Sequence, residues 1–312
     1  MTEPWRPDLA DCESGFGGPL IKRVYGQVYH YTDLAGLVGM VGSGVLWATS
    51  LSSLNDTSEL AYGLKIVREE WAACERQGLP DRAGEFINQV LEVVASDDDR
   101  ANVFAFSASA KDDLLNQWAH YGGTDGFELA ISTKRKFEVL GREPAVVDPE
   151  RIPVLTNGWG AVLYRPKRQR ENARRLLERA LHEFNRYERF YGSGTAEHLG
   201  AAAVWQGAHI KTQAALWKDP AFYAEKEVRY VTALTDAEAP RFRASGSSEI
   251  PYVELRPKGE VAEGLPFLIG QVRLGPEVDA QTESDVRSLL AANGLETLDV
   301  WRSKIPYASR RT

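Results

Sequence analysis

The amino-acid sequence predicts an α+β fold in which a mixed β-sheet carries helical insertions, and three observations support this prediction. β-prone segments recur from one end of the chain to the other. Two regions, about 60–96 and 166–216, instead carry apolar residues at helical spacing. No Pro/Ser/Gly-rich linker divides the 312 residues, so we expect a single domain over residues 1–312.

The regular structure begins with a predicted strand, helix and second strand. Residues 28–32 (VYHYT) favour a strand that contains His30. The helix, 33–41, has apolar residues at helical spacing, and either Thr32 or Asp33 can cap it. Gly44 follows it and can take the left-handed conformation after the last turn. The second strand, 45–49, leads into a polar loop. A compact frame of this kind holds small ligands at its strand ends.

His30 and the polar loop supply the first candidate site residues. The loop contains Asn55 and Asp56, which are equally compatible with closing over a ligand and with ordering the loop itself. His30 lies between two tyrosines, and an enzyme site is one interpretation of that pattern. The other is that the imidazole satisfies a buried hydrogen bond beside packed aromatic rings. This stretch alone favours the structural role.

Two amphipathic helices, a buried strand and a short helix follow. The spacing predicts helices over 59–77 and 82–95, and the segment 101–107 (ANVFAFS) predicts a buried strand. A short helix is then expected over 114–121. It brings together three side chains with rings: Trp118, His120 and Tyr121.

A glycine-rich loop, 122–126, separates the short helix from a strand predicted over 127–132. The loop matches neither the dinucleotide fingerprint nor the P-loop pattern, so it is weak evidence of phosphate binding. Residues 133–158 are poorly patterned. A short strand over 161–164 leads into the second helical region.

The second helical region begins with a basic run. Its members are Arg165, Lys167, Arg168, Arg170, Arg174, Arg175 and Arg179. Such a run usually forms the solvated face of a helix, and we favour that interpretation. Phosphate binding by the arginines is the alternative, but Glu171 and Glu178 interrupt the run.

Two glutamates stand where a strand over 228–234 is predicted to begin. Glu225 and Glu227 are two residues apart, and the period of a strand would point both carboxylates to the same side. Their repulsion would raise the pKa of one of them, and Arg229 on the same face could offset that effect. A solvated strand edge is the alternative. The remaining predicted elements are strands over 250–255, 266–274 and 297–301 and a helix over 283–292.

Composition and charge exclude several classes of protein. The net charge of −7 argues against attraction to nucleic acid over the whole surface, although it allows a local basic patch. Two cysteines, Cys12 and Cys74, are too few for a disulfide framework and indicate a reducing compartment. The sequence has no signal-peptide pattern and no apolar run of roughly 18 residues. We therefore expect a cytoplasmic protein without a membrane partner.

Standard catalytic and metal-binding motifs are absent from the sequence. The five histidines show no H-E-x-x-H spacing, so no metal site is predicted. There is no G-x-S-x-G elbow, and neither cysteine has a histidine nearby in the sequence. Catalytic groups assembled in space from distant residues remain compatible with the sequence.

A series of motifs resembles that of a large uncharacterised bacterial family, a domain of unknown function. The motifs are Tyr29-His30-Tyr31-Thr32 with Leu54-Asn55-Asp56-x-x-Glu59, Phe106-Ser107, Trp118-Ala119-His120-Tyr121 and Glu225-Lys226-Glu227-Val228-Arg229. The strand and turn at 269–276 are also similar to that family. The resemblance spans about residues 28–305, and the series is fairly specific although each motif alone is weak.

That family in turn resembles the ADP-ribosyltransferase superfamily. Its enzymes carry a histidine and a Thr or Ser on the first strand, which His30 and Thr32 match, and a glutamate at the start of a later strand, which Glu227 matches. Glu225 and Glu227 also resemble the E-x-E pair of one branch, whereas the histidine belongs to another. The candidates for the aromatic residues that sandwich nicotinamide are Tyr31, Trp118 and Tyr121. The resemblance implies a split, strongly bent mixed sheet and leaves the branch and the acceptor open.

The resemblance implies NAD as the substrate and a role for each matched residue. Cleavage between nicotinamide and ribose passes through an oxocarbenium-like state. Glu227 would stabilise it by accepting the ribose 2′-hydroxyl proton, and Glu225 would orient the nucleophile. His30 would bond ribose hydroxyls, and the backbone of Tyr31 would hold the carboxamide. The other ligand-binding candidates are Thr32, Asn55, Asp56, Trp118, His120, Tyr121 and Arg229.

The implied function is ADP-ribosyl transfer from NAD to a macromolecule, either protein or nucleic acid, in a bacterial toxin or phage-defence setting. An NAD glycohydrolase would differ only in using water as the acceptor. A non-enzymatic nucleotide-sensing or interaction module would keep the frame without turnover. We expect His30, Glu227 and an aromatic residue from 118–121 to line one pocket.

Overall fold

The computed structural model describes residues 4–7, 22–53, 58–95, 103–123, 125–140, 158–191, 196–233, 240–245, 248–258 and 269–306. The strands are β1 (Gln27–Thr32), β2 (Leu46–Ser50), β3 (Val103–Ser109), β4 (Phe127–Ser132), β5 (Phe137–Val139), β6 (Trp159–Ala161), β7 (Glu227–Ala233), β8 (Arg241–Ser245), β9 (Ser248–Pro257), β10 (Ile269–Leu274) and β11 (Asp299–Arg302). The helices are α1 (Leu34–Ser43), α2 (Ser58–Ala72), α3 (Asp81–Ala95), α4 (Leu115–Gln117), α5 (Pro166–Tyr191), α6 (Ala196–Ala214) and α7 (Ala280–Ala292). A π-helical turn, Trp118–Gly122, continues α4, and 3₁₀ turns span Leu51–Ser53 and Pro220–Glu225.

The strands form a mixed open sheet, which confirms the predicted α+β class. The strand order is β11-β10-β4-β1-β3-β2-β9-β5, with β7 between β3 and β6 and with β8 beside β9. β10 and β11 run parallel. The other paired strands are antiparallel.

The sheet divides at β3. On one edge of this strand, β7 pairs along the whole length from Val103 to Ser109. On the other edge, β1 pairs at Ser109 and β2 pairs at Phe104 and Ala105. β1 and β2 therefore diverge from each other beside Ser107, which lies between the two paired regions.

Helices cover both faces of the sheet and enclose two hydrophobic cores. α2, α3, α5 and α6 pack on the face to which Ala105 and Val231 point. α1 and α7 pack on the opposite face, to which Phe104 and Val228 point. The four helices of the first layer fall in the two regions in which the sequence predicts helical insertions. Burial of apolar side chains on both faces is the main favourable contribution to folding.

The ends of α1 are set by the residues that the sequence indicates. The Asp33 side chain accepts a hydrogen bond from the Gly36 amide at 2.8 Å and caps the first turn. Gly44 follows the last turn with φ 68°, in the left-handed region where a side chain would be strained. Asp33 is thus the cap, one of the two residues that the sequence offers, and Gly44 ends the helix as predicted, although α1 extends to Ser43 rather than to residue 41.

Some elements differ from the sequence-based prediction. β5 and β8 are not apparent from the sequence, since the first has three residues and the second carries arginines at alternate positions. β6 ends at Ala161, the residue at which the predicted strand 161–164 begins. Beyond it, Leu163 forms an isolated bridge with Trp217.

Among the described helices, none combines the length and the apolar composition that a membrane-spanning helix requires.

Candidate functional site

The segment before β7 places the two predicted glutamates in different local structures. The 3₁₀ turn Pro220–Glu225 is capped by Asp219, whose side chain accepts a hydrogen bond from a backbone amide of the turn at 2.9 Å. The turn ends at Lys226, which has a left-handed backbone (φ 51°). Glu227 then begins the strand. Glu225 lies outside β7, so strand periodicity does not align the two carboxylates as the sequence suggests.

A lysine and an arginine hold the two carboxylates close together. Lys218 Nζ lies 2.7 Å from Glu225 Oε2 and 3.2 Å from Glu227 Oε2. Arg229 also contacts Glu227, with Nε 2.6 Å from Oε1 and Nη2 2.9 Å from Oε2. All four residues are buried, and we call them the glutamate cluster. Two positive and two negative charges compensate each other away from water.

The pKa of Glu227 is controlled by the two cations. Burial is the largest single influence and would raise the pKa, because a buried carboxylate loses its hydration. The charges of Arg229 and Lys218, with a hydrogen bond from Ser107, together outweigh burial and lower the pKa of Glu227 to about 2. Glu227 is therefore ionised at physiological pH. The sequence indicates that Arg229 lowers the pKa of a nearby glutamate, but it does not indicate that Lys218 does so too.

Hydrogen bonds to neighbouring strands and helices fix the glutamate cluster. Tyr164 Oη accepts a hydrogen bond from the Glu227 amide at 3.0 Å. Ser109 Oγ donates to the Glu225 carbonyl oxygen at 3.0 Å. Arg229 Nη1 donates to a backbone carbonyl just after α6 at 2.6 Å. The cluster is therefore held by the sheet on one side and by the helical layer on the other.

His30 faces the other side of the sheet from Glu227. Tyr29, Ser109 and Glu227 are paired in register across β1, β3 and β7, so their side chains point to one face. His30 is the next residue along β1 and points to the opposite face. There its ring centroid lies 4.4 Å from that of Phe106, a core residue.

The imidazole of His30 fills the place where β1 leaves β3. Its Nδ1 lies 2.8 Å from the carbonyl oxygen of Ser107. Burial lowers the pKa of His30 to about 4, while the bond to Ser107 acts in the opposite direction. The ring is neutral at pH 7 and satisfies a backbone group beside an aromatic ring. This is the structural role that the local sequence favours, and Ser107 is the residue that contacts both His30 and Glu227.

Tyr31 and Trp118 are buried beneath the loop that follows β3. Tyr31 Oη accepts a hydrogen bond from the Leu114 amide at 2.9 Å, and the two aromatic rings meet edge to face at 4.9 Å. Trp118 Nε1 donates to Asp113 Oδ1 at 2.9 Å. Both side chains are buried, so neither ring presents an open face to a ligand.

The remaining predicted binding residues lie at the surface or outside the described chain. His120 and Tyr121 are exposed in the π-helical turn, and Thr32 is half-buried at the end of β1. Asn55 and Asp56 lie outside the residues that the structure describes. The structure therefore gathers the two predicted glutamates and the arginine of β7, and it separates them from the histidine.

A second charged cluster, not apparent from the sequence, surrounds Arg273 on β10. Its guanidinium lies 2.8 Å from Asp112, 3.1 Å from Asp113 and 3.1 Å from Glu128 on β4. We call these four residues the arginine cluster. Burial raises the pKa of Glu128, which is opposite to the direction at Glu227. The partners come from distant parts of the chain, so no short motif indicates them.

The two clusters lie on the same face of the sheet. Tyr31, Glu128 and Arg273 are paired in register across β1, β4 and β10. Tyr31 is two residues from Tyr29, so it shares the face on which Tyr29 lies in register with Glu227. Burial and the nearby carboxylates of the arginine cluster raise the pKa of Tyr29. A polar strip thus crosses this face from one cluster to the other.

Two arginines of the basic run on α5 take part in ion pairs within the helical layer. Arg174 Nε lies 2.6 Å from Glu70 Oε2, and Arg170 Nε lies 4.0 Å from Glu70 Oε1. The Glu70 side chain on α2 is fully buried. For these two arginines, a structural role in joining α5 to α2 agrees better with the contacts than phosphate binding.

Residues 117–230 match the model of a family described as a protein of unknown function, DUF2971. The matched region runs from the end of α4 into β7 and includes all four residues of the glutamate cluster, whereas His30 lies outside it. No curated protein and no solved structure matches the chain. The comparison supports the expected likeness to an uncharacterised family and carries no information on activity.

Proposed function

We propose that the protein transfers the ADP-ribosyl group of NAD to a macromolecular acceptor, with Glu227 as the catalytic carboxylate. The position and charge of this side chain carry the proposal. Glu227 begins β7, contacts Ser107 where β1 and β2 diverge, and has a pKa of about 2. An ionised carboxylate with little contact to water is suited to stabilising positive charge that develops on a substrate.

The proposed reaction uses that charge in the transition state. The bond between the nicotinamide nitrogen and ribose C1′ breaks, and its electron pair leaves with nicotinamide. A nucleophilic atom of the acceptor bonds to C1′ and releases its proton. Because positive charge on the sugar is greatest in the transition state, Glu227 would bind that state more tightly than NAD itself. Glu225, held beside it by Lys218, would orient the nucleophile.

Among the aromatic residues predicted to sandwich nicotinamide, Tyr121 has an accessible ring. It is 49% exposed, whereas Tyr31 and Trp118 are buried. α4, which the turn of Tyr121 continues, contacts the 3₁₀ turn that leads to Glu227. We assign stacking on nicotinamide to Tyr121, a contact that contributes about 1 kcal/mol or more when water is excluded. In this proposal His30 and Trp118 maintain the frame.

A nucleotide-sensing or interaction module without turnover is the second candidate, and the ion pairs favour it. Lys218 already contacts both glutamates, and Arg229 contacts both oxygens of Glu227. These cations compete with a positively charged sugar for the carboxylate. A module of this kind would bind NAD or another nucleotide and leave the bond to nicotinamide intact.

The test is incubation of the purified protein with radiolabelled NAD and a whole-cell lysate. Separation of protein, nucleic-acid and small-molecule fractions then follows the label. Transfer to either macromolecule identifies the acceptor class, and free ADP-ribose alone identifies a glycohydrolase. We expect Glu227→Gln to lower the consumption of NAD by about a hundredfold or more, since it removes the charge that stabilises the transition state.

Glu70→Gln is the matched control for this variant. Glu70 is as buried as Glu227 and is also paired with an arginine, but it lies in the helical layer. Its substitution should leave the rate of NAD consumption unchanged in folded protein. If Glu227→Gln consumes NAD at the wild-type rate, the catalytic assignment is wrong. NAD binding without turnover in the wild type would establish the second candidate.

A further inference from the structure

The outer face of β2, β9 and β8 carries an exposed aromatic ring among arginines. Trp47 on β2 pairs with Glu254 on β9, and Tyr252 on β9 pairs with Arg241 on β8. Alternation along the strands turns the residues between them, such as Val253, into the core beneath α1 and α7. The side chains of Trp47, Tyr252 and Arg241 therefore share the face that points away from that core.

Trp47 is held in place and remains accessible. Its ring lies 4.6 Å from that of Tyr252, and the Arg243 guanidinium lies 5.8 Å from its centroid. Tyr252 is buried, whereas Trp47 is 40% exposed. Arg243 is itself fixed by a hydrogen bond of 3.1 Å to Thr49 Oγ1. An indole that is supported by neighbours and partly open to solvent forms a preformed stacking platform.

Positive charge surrounds this platform although the whole chain has a net charge of −7. The basic residues of the region are Arg241, Arg243 and Arg256 on the face and Lys136 and Lys258 beyond the end of β9. The carboxylates on the same face are Glu254 and Glu138, and Glu254 is paired with Arg241 at 3.0 Å. We call Trp47, Tyr252, Arg241, Arg243 and Arg256 the aromatic–arginine face. Its excess of positive charge complements phosphate.

We infer that the aromatic–arginine face binds single-stranded nucleic acid, with bases stacked on Trp47 and phosphates paired with the arginines. A sheet face with an exposed aromatic ring and flanking cations suits single strands, because each base has a π face and each nucleotide a phosphate. A duplex keeps its base faces within the stack and would engage the arginines alone. The inference goes beyond the proposed function and is independent of it, since no residue of the glutamate cluster takes part.

The test is fluorescence anisotropy of labelled oligo(dT) and oligo(U) of about 12 nucleotides, without NAD. We expect binding that Trp47→Ala weakens about tenfold and that Trp47→Phe largely retains, since a phenyl ring also stacks. Trp301→Ala is the matched control, because Trp301 is 51% exposed on β11 at the far edge of the same sheet. It should bind like the wild type.

The salt dependence tests the phosphate contacts separately. Each phosphate neutralised on a single strand contributes about −0.7 to the slope of log affinity against log salt concentration. We expect the combined change of Arg241, Arg243 and Arg256 to glutamine to reduce the steepness of that slope by about 2. These substitutions lie on the surface side of the sheet, and thermal unfolding of each variant verifies that it is folded.

Three results would overturn the inference. The first is the absence of oligonucleotide binding at about 50 mM salt, where phosphate contacts are strongest. The second is an equal loss of affinity in Trp47→Ala and Trp301→Ala. The third is binding of a duplex or of an acidic peptide with the affinity of oligo(dT) and with no effect of Trp47→Ala, which would make the face a general site for negative charge.

Discussion

The glutamate cluster and the arginine cluster place buried glutamates on one face of the same sheet, yet the two glutamates differ in the direction of their pKa shifts. Glu227 is 8% exposed and its pKa is lowered to about 2. Glu128 is 1% exposed and its pKa is raised. Both contact an arginine. Neither burial nor the presence of an arginine therefore decides the direction of the pKa shift by itself.

The ratio of cations to carboxylates explains the difference. In the glutamate cluster, Lys218 and Arg229 serve two carboxylates, and both cations contact Glu227. In the arginine cluster, Arg273 is shared by three carboxylates. Burial then dominates at Glu128, and the charge of Asp112 acts in the same direction. Two cations thus lower the pKa of Glu227, whereas a single shared arginine leaves burial as the dominant influence on Glu128.

The arginine cluster instead has contacts that suit it to holding chain segments together. Asp113 accepts hydrogen bonds from Ser303 Oγ at 2.6 Å, from the Lys304 amide at 3.0 Å and from Trp118 Nε1 at 2.9 Å. These bonds fasten the segment after β11 and the π-helical turn to the sheet. These contacts give the arginine cluster a structural role, whereas the chemistry that we propose for the glutamate cluster depends on the ionised Glu227.

Removal of Arg229 should have the largest effect on stability. Arg229→Met leaves Glu227 with one cation and removes the bond to the backbone after α6. Breaking a buried ion pair by removing one partner destabilises a protein by about 3–5 kcal/mol. We expect the free energy of unfolding in urea at pH 7 to fall by that amount.

Arg287→Met is the control for this substitution. Arg287 pairs with Glu283 at 2.9 Å on α7, but its side chain is 53% exposed. An exposed pair of this kind contributes less than about 1 kcal/mol. Equal losses of unfolding free energy in Arg229→Met and Arg287→Met would show that Arg229 does not compensate a buried charge. The proposed difference between the two clusters would then be wrong.

The parts of the structure that the sequence predicts are those with local signals. Asp33 and Gly44 mark the two ends of α1. Both can be predicted because a capping side chain and a left-handed glycine bond to, or redirect, backbone atoms that are close in sequence. The sequence also indicates Glu227 and Arg229 as neighbours, since they are two residues apart in one strand. In the same way the local pattern around His30 favours the structural role that its contacts show.

The sequence does not predict the contacts that join distant parts of the chain or that depend on irregular turns. Lys218 reaches both glutamates because the 3₁₀ turn and the left-handed Lys226 bend the chain back toward it. Arg273 and Asp112 are separated by 161 residues. Periodicity describes regular helices and strands, so it indicates neither the bend nor the long-range pair.

Replacement of Lys218 tests whether two cations are needed to keep Glu227 ionised. Lys218→Met leaves Arg229 paired with Glu227 but breaks the ion pair with Glu225, so we expect a loss of stability at pH 7 of about 3 kcal/mol, the low end of the range for a broken buried ion pair. The pKa of Glu227 should rise from about 2 toward its ordinary value of 4.5. Carbon-13 NMR of the glutamate side chains, with Glu227→Gln for assignment, measures that pKa.

The pH dependence of stability provides a second readout for Lys218. A lowered pKa in the folded state adds stability that is present above 4.5 and is lost as the pH falls toward 2. In the wild type this contribution of Glu227 is about 3 kcal/mol. It should be smaller in Lys218→Met, whereas Lys218→Arg should retain it. An unchanged pKa of Glu227 in Lys218→Met would mean that Arg229 and the hydrogen bond from Ser107 lower it without help from Lys218.

The smallest expected effect on stability is that of Glu128→Gln. Its change with pH should have the opposite sign to the change expected from Glu227, and this distinguishes the two clusters. The raised pKa of Glu128 means that its contribution to stability is fully present below 4.5 and is lost as the pH rises through the folded-state pKa. Glutamine resembles the protonated acid at every pH. The variant should therefore match the wild type near the ordinary pKa and become more stable relative to it as the pH rises to 8. Urea unfolding across this range measures the gain. A relative loss with rising pH would mean that Arg273 keeps Glu128 charged, as Arg229 and Lys218 do for Glu227.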